Sequence, residues 1–185
     1  MKFLILSDIH GDEKDLQTIL SKDLAKTSDL IVLCGDYLNH GPRNPLPDGW
    51  NPRGVADLLN PLSHKIIAVR GNCDAEVDEM VLKFPCLAPN STIFVDGIRF
   101  FIHHGHLYER SKLFSMLPPR TIVISGHTHV SLIEEEGDLI FLNPGSISLP
   151  KSDVGKTFAT IEVESKKTKI SLWSIDNGIV WEKNF

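Results

Sequence analysis

Five short stretches of the chain carry side chains able to do chemistry. They are Asp8, His10 and Asp12 in "LSDIHGD", Asp36 in "LCGD", Asn72, Cys73 and Asp74 in "RGNCD", His103, His104 and His106 in "IHHGH", and His127 and His129 in "GHTH". Asp8 and His10 are two residues apart, so on a chain still extended their side chains lie on one side and can converge on a point, as metal ligands do. A polar turn between strand and helix also favours these residue types. Recurrence decides between the two readings. Each stretch follows an apolar run, and in α/β sheets sites form at the carboxyl ends of strands, where these segments would meet. Gly35, Gly71 and Gly126 each precede a proposed ligand, where a backbone without Cβ lets the chain turn and side chains crowd together.

The elements that would position these groups follow from periodicity. Residues 2–7 read as a strand, and 13–25 as an amphipathic helix with Leu16, Ile19, Leu20 and Leu24 at helical spacing. A strand over 29–36, a Pro- and Gly-rich loop over 39–52, a helix over 53–62 and a strand over 64–72 complete a βαβαβ rhythm, which predicts parallel pairing. Strands are expected near 91–96 and 98–103, joined by Asp96-Gly97 as a hairpin. More are expected near 120–125, 131–135, 138–142, 157–163, 168–174 and 178–182, on short connections that suggest antiparallel pairing. The predicted architecture is α/β: two stacked mixed β-sheets with helices outside, one domain over residues 1–185.

Composition bounds the function. With 185 residues, 42% hydrophobic and 23% charged, the chain can bury a good core. A net charge of −5 offers no basic footprint, which argues against long nucleic acid as a partner. No stretch approaches the roughly 20 apolar residues of a membrane span. Cys34, Cys73 and Cys86, odd in number and irregular in spacing, fit reduced thiols, and together these features predict a cytoplasmic protein.

The ordered set D-x-H, G-D, G-N-x-D, H-G-H and G-H-x-H, here Asp8/His10, Gly35/Asp36, Gly71 to Asp74, His104 to His106 and Gly126 to His129, resembles the calcineurin-like metallophosphoesterases. "DYLNHGPRNPLP", "GNCD" and "NPGS" narrow the resemblance to the YfcE-like bacterial phosphodiesterase branch. It implies a four-layer fold and a dinuclear centre. Asp8, His10 and His129 would hold one ion, Asn72, His104 and His127 the other, and Asp36 would bridge both. Two neighbouring divalent ions repel, so an anionic ligand between them is needed. Mixed imidazole and oxygen donors suit Mn²⁺, Fe, Zn²⁺ or Ni²⁺ better than Mg²⁺ or Ca²⁺, and the resemblance favours Mn²⁺. The implied reaction is hydrolysis of a phosphodiester in a small substrate by a metal-activated hydroxide, by a homo-oligomer, dimer or higher.

One position departs from the broad family. Many members carry His after Gly-Asn as the leaving-group acid, whereas this chain has Cys73, as the YfcE-like branch does. His40 or His106 would then supply the missing imidazole. Arg43 reads as a surface residue and Asp74 as a group that orients a ligand or caps a helix. His64 and His103 read as structural, and "NPGS" as a tight turn near the site. Phosphomonoesterase action is the milder alternative. A retromer subunit resembling this fold works as a protein-binding scaffold, the alternative of another class.

Overall fold

The computed structural model describes residues Met1–Phe185. Apolar strands stack in two sheets, and the strand alternation decides which layer each face meets. One sheet contains β1 (Lys2–Leu6), β2 (Leu30–Leu33), β3 (Ile66–Ala68), β9 (Thr157–Glu164), β10 (Lys167–Ser174) and β11 (Gly178–Asn184), in the order β11-β10-β9-β1-β2-β3. The other contains β4 (Asn90–Val95), β5 (Ile98–His103), β6 (Ile122–Ile124), β7 (Leu132–Glu136) and β8 (Leu139–Asn143), in the order β4-β5-β6-β8-β7. Phe3 and Ile5 of β1 point between the sheets and meet Phe100, Ile102, Ile122 and Ile124. Leu4 and Leu6 point the other way, onto α1 (Glu13–Ser21), α2 (Asp23–Lys26) and α3 (Pro52–Leu59). Across the molecule α4 (Arg110–Met116) places Leu113 on Phe101, Val123 and Phe141. The layers run α/β/β/α, as expected.

Several expectations need correction. The helix expected over 13–25 breaks at Lys22, whose extended backbone (φ −69°, ψ 146°) ends α1 and starts α2. The helix expected over 53–62 ends at Leu59, because Pro61 lacks the N–H an α-helix needs, and residues 60–65 form 3₁₀ turns. Those turns take up the start of the strand expected over 64–72, leaving β3 only three residues long. In the second sheet β5, β6 and β8 are parallel, not antiparallel, with α4 in the β5–β6 crossover. The Asp96-Gly97 hairpin is present, both residues at positive φ as a type I′ turn requires.

In the first sheet β1, β2 and β3 are parallel to one another, so their carboxyl ends share one edge. The carboxyl ends of β5 and β6 open onto that edge from the second sheet: the Gly126 N–H, after β6, donates to His104 O, after β5, at 2.8 Å.

Candidate metal centre

Of the seven expected ligands, Asp8, His10, Asp36, His127 and His129 have left-handed backbones, with φ of 51°, 48°, 56°, 69° and 59°. Each such residue costs roughly 1 kcal/mol, a sum comparable with a sizeable share of a domain's stability. Asp and His tolerate this conformation better than most residues, but five together at one edge mark a place where the chain gives up local comfort to aim side chains. The glycines serve the same close approach. A Cβ on Gly35 would lie 2.6 Å from Gly71 Cα and 2.8 Å from His104 Nδ1, and one on Gly126 would collide with Ser7 Oγ and lie 2.7 Å from Asp8 Oδ2.

Three imidazoles are fixed from behind. His10 Nδ1–H donates to Asn39 O at 2.8 Å, His129 Nδ1–H to Leu149 O at 2.5 Å and His104 Nδ1–H to Cys34 O at 2.6 Å. With that proton committed, each ring turns Nε2 inward, as ligating histidines do. Burial lowers the His10 pKa, so its Nε2 carries a lone pair at neutral pH. His10 Nε2 and His129 Nε2 stand 3.3 Å apart, and His129 Nε2 is 3.2 Å from Asp8 Oδ1. Asp8 Oδ2 is satisfied by Ser7 Oγ–H at 2.6 Å and the His127 N–H at 3.0 Å, whereas the buried Oδ1 has no hydrogen-bond partner. Acceptors that converge without a donor between them fit a cation. Asp8, His10 and His129 thus form a group able to hold a metal, and Asp8, Asp36 and His104 form another.

Asp36, a member of the second group, also faces His10 of the first. Its Oδ2 is 3.7 Å from His10 Nε2 and 3.5 Å from His104 Nε2, while Oδ1 accepts the Cys73 N–H at 2.8 Å. Burial disfavours its charge, but the hydrogen bond and charge of His104 outweigh that and hold the pKa at about 2. His104 answers in kind: burial pulls it down, Asp36 and Asp8 pull it up, and it reaches about 9. Its Nε2 is 3.0 Å from Asn72 Oδ1. Without metal, then, a proton on His104 stands between the ring and the oxygens of Asp36 and Asn72.

The remaining expected residues have definite places. His127 lines the cleft, its ring 5.1 Å from that of His104. His106 packs 5.2 Å from the His104 ring and 6.2 Å from that of His127, its pKa lowered by burial. Cys73 lines the cleft, and burial and the Asp36 charge push its thiol up to about 12. His40 stacks edge-on against Trp50, 6.1 Å between ring centres, and is not among the cleft-lining residues. Arg43, expected at the surface, is exposed but lines the cleft. Asp12 caps α1, accepting from the Asp15 N–H. Asp74 caps no helix: it accepts the N–H groups of Asp36, Tyr37 and Gly71 at 2.8, 2.9 and 2.6 Å and fixes the loop that carries Asp36. In "NPGS", Asn143 Nδ2 donates to Gly126 O and Ser146 Oγ to Asp8 O, tying two ligand loops together. Lys151, on the cleft wall, was given no role by sequence reasoning, because nothing in its neighbourhood resembles a motif.

Comparison with known proteins accords with this geometry. The profile of the calcineurin-like phosphoesterase superfamily domain matches residues 1–166. The chain belongs to that superfamily. Membership makes it a metal-binding hydrolase of phosphoric ester bonds. It is 44% identical over 151 residues to the phosphodiesterase YfcE of Escherichia coli K12, covering 82% of each chain. The solved structure of the Escherichia coli phosphoesterase YfcE superposes with a TM-score of 0.89 at 36% identity, covering 99% of this chain and 98% of that one. Vps29 of Entamoeba histolytica, solved with zinc, gives a TM-score of 0.67 at 19% identity, covering 100% of this chain and 98% of that one, a likeness of fold alone. No helix is long and apolar enough to cross a membrane.

Proposed function

We propose that this superfamily member is a phosphodiesterase working with two divalent ions, Mn²⁺ foremost, within one domain over residues 1–185. Asp8, His10 and His129 would hold one ion, Asn72, His104 and His127 the other, with Asp36 shared. The observation that carries this reading is the placement of Asp36 Oδ2, 3.7 Å from the Nε2 of His10 and 3.5 Å from that of His104. One carboxylate faces an imidazole from each proposed half-site. The relationship to YfcE supports diesters as the substrate class.

The ions, when bound, supply Lewis-acid polarisation of the phosphoryl group and a water of lowered pKa. The chain's own residues do the rest. Asp36, ionised above about pH 2, offers a permanent negative charge for the ions to share. The carbonyls behind His10, His104 and His129 hold the rings in one tautomer, so the site is organised before substrate arrives. Asn72 presents Oδ1 to the centre while its Nδ2 donates to Cys73 Sγ at 3.2 Å, keeping the amide from flipping. Cys73, on the cleft wall and protonated up to about pH 12, has a proton for a leaving alkoxide, whereas His106, its pKa lowered by burial, would offer only the weakly acidic N–H of a neutral ring. A thiol is a weak donor, so aryl esters, whose leaving groups need little help, are the substrates expected to turn over fastest.

The test is to strip the protein of metal and restore Mn²⁺ while following an aryl phosphodiester and its monoester, with Asp36→Asn as control. Diester hydrolysis that returns with Mn²⁺ and is lost in the variant supports the reading. A faster monoester moves it to phosphatase, and metal binding without turnover moves it to a scaffold.

A further inference from the structure

The cleft over the candidate metal centre has a volume of about 720 Å³, ample for a nucleotide-sized group, and one of its eleven lining residues is hydrophobic. Its walls hold two cations, Arg43 and Lys151, and one carboxylate, Asp36. Asp36 is already engaged by the Cys73 N–H, His10 and His104. The ion pairs of the molecule use other lysines and arginines, so both cleft cations stand without an acidic partner. In a chain of net charge −5, two unpaired cations in one concavity are a local reversal of sign.

Both cations are also tied to the ligand loops. The Lys151 N–H donates to His129 O at 3.0 Å. Arg43 sits in a turn closed by Asn44 N–H to Gly41 O at 3.2 Å and Asn44 Nδ2 to His40 O at 2.8 Å. That turn continues from Asn39, whose carbonyl holds the His10 ring and whose Oδ1 accepts the Gly41 N–H at 2.8 Å. The backbone roots of both charges are therefore set relative to the reacting centre. The scissile phosphoryl is served by the metal-ligand groups. Arg43 and Lys151 are left for something else on the substrate, and polar walls disfavour a lipid or plain aryl group there.

We propose that Arg43 and Lys151 grip a second anionic group, a phosphate or carboxylate, carried by the same substrate beside the scissile ester. The inference rests on the phosphoesterase reading for what happens at the metal centre, but not for the binding of the second anion. Arg43 would chelate two anion oxygens with its planar fork, and Lys151 would add a point charge.

The probes are two esters with the same leaving group: thymidine 5′-(p-nitrophenyl phosphate) and its 3′-phosphorylated counterpart. With the Mn²⁺-loaded protein, the 3′-phosphate is expected to raise kcat/KM by about tenfold or more, mainly through KM, the size of a hydrogen bond to a charged group. Arg43→Met and Lys151→Met should each draw that ratio toward one, and Lys151→Arg should restore part of it. Calorimetry with thymidine 3′,5′-bisphosphate and thymidine 5′-monophosphate reads the same preference without turnover. A ratio near one in the unaltered protein, or variants that weaken both esters equally, overturns the inference. Should neither ester be hydrolysed while the bisphosphate still binds more tightly, and less so in Arg43→Met, the cation pair stands and the phosphodiesterase reading falls. Turnover with equal binding of the two nucleotides leaves that reading and overturns this one.

Discussion

His10 and His129, 119 residues apart in sequence, turn their Nε2 atoms toward each other at 3.3 Å. Each ring gives its Nδ1 proton to a backbone carbonyl, so two lone pairs meet with the unpartnered Asp8 Oδ1 beside them. A bound cation turns this repulsion into attraction. Mn²⁺ at about 100 times its Kd should then stabilise the fold by about 2.7 kcal/mol, raising Tm by roughly 5–11 °C. Differential scanning fluorimetry reads the shift, and His10→Ala should remove most of it. An unchanged Tm at saturating metal would refute the proposed site.

Asp36→Asn keeps the shape of the side chain and removes the charge that both half-sites share. Loss of a supporting group around a metal costs about 10–100-fold in affinity or activity. Loss of the proposed bridge should cost more, with diester hydrolysis falling about 10³-fold or beyond. Circular dichroism should be unaltered, since the Cys73 N–H can still donate to the amide oxygen. Retention of a tenth of the activity would place the reaction elsewhere.

Metal binding should depend on pH through His104. His104 in the metal-free protein holds its proton up to about pH 9, whereas Asp36 is ionised above about 2 and burial keeps His10 and His127 below the usual imidazole range. Of these four, His104 alone must lose a proton to accept a metal near neutrality. Metal affinity is therefore expected to rise about tenfold per pH unit from 7 toward 9 and to level off above. The metal-free fold behaves oppositely. A His with a raised pKa stabilises fully below its unfolded value of 6.5, and that contribution is lost as pH rises through about 9. Calorimetry in buffers of different ionisation heat should find close to one proton released per protein at pH 7.5. A release near zero would remove His104 from the ligand set.

The strand ends were legible because an apolar run that stops at Asp, Asn or His is a local signal. That is why Asp8, Asp36, Asn72, His104 and His127 could be found from sequence and why they meet at one edge. The β5-β6-β8 pairing was not legible, since strands of three to six residues carry no mark of their direction. Nor was α4, which buries only Leu113 and so shows no periodicity. His40 lies in the loop next to Asn39, which touches His10, yet its ring turns to Trp50, a choice made by packing across ten residues. Lys151 lines the cleft with its backbone bound to His129 O, a contact no spacing announces.

Asp74 shows how much of the site lies behind the ligands. Its Oδ2 accepts the N–H groups of Asp36 and Gly71, and its Oδ1 accepts that of Tyr37. Burial and the Asp36 charge push its pKa up to about 7 against the pull of those three donors. In Asp74→Asn the amide oxygen can serve one side, but the NH₂ group must then face a backbone N–H, donor against donor, in a buried place. The expected cost is about 1–3 kcal/mol, a fall in Tm of roughly 2–12 °C. Because the displaced loop carries Asp36, metal affinity should also drop by about 10–100-fold, though Asp74 touches no metal in this reading. Thermal melts with and without Mn²⁺ separate the two effects. If Asp74→Asn lowers Tm but leaves the metal-induced shift intact, the carboxylate braces the fold and does not position Asp36.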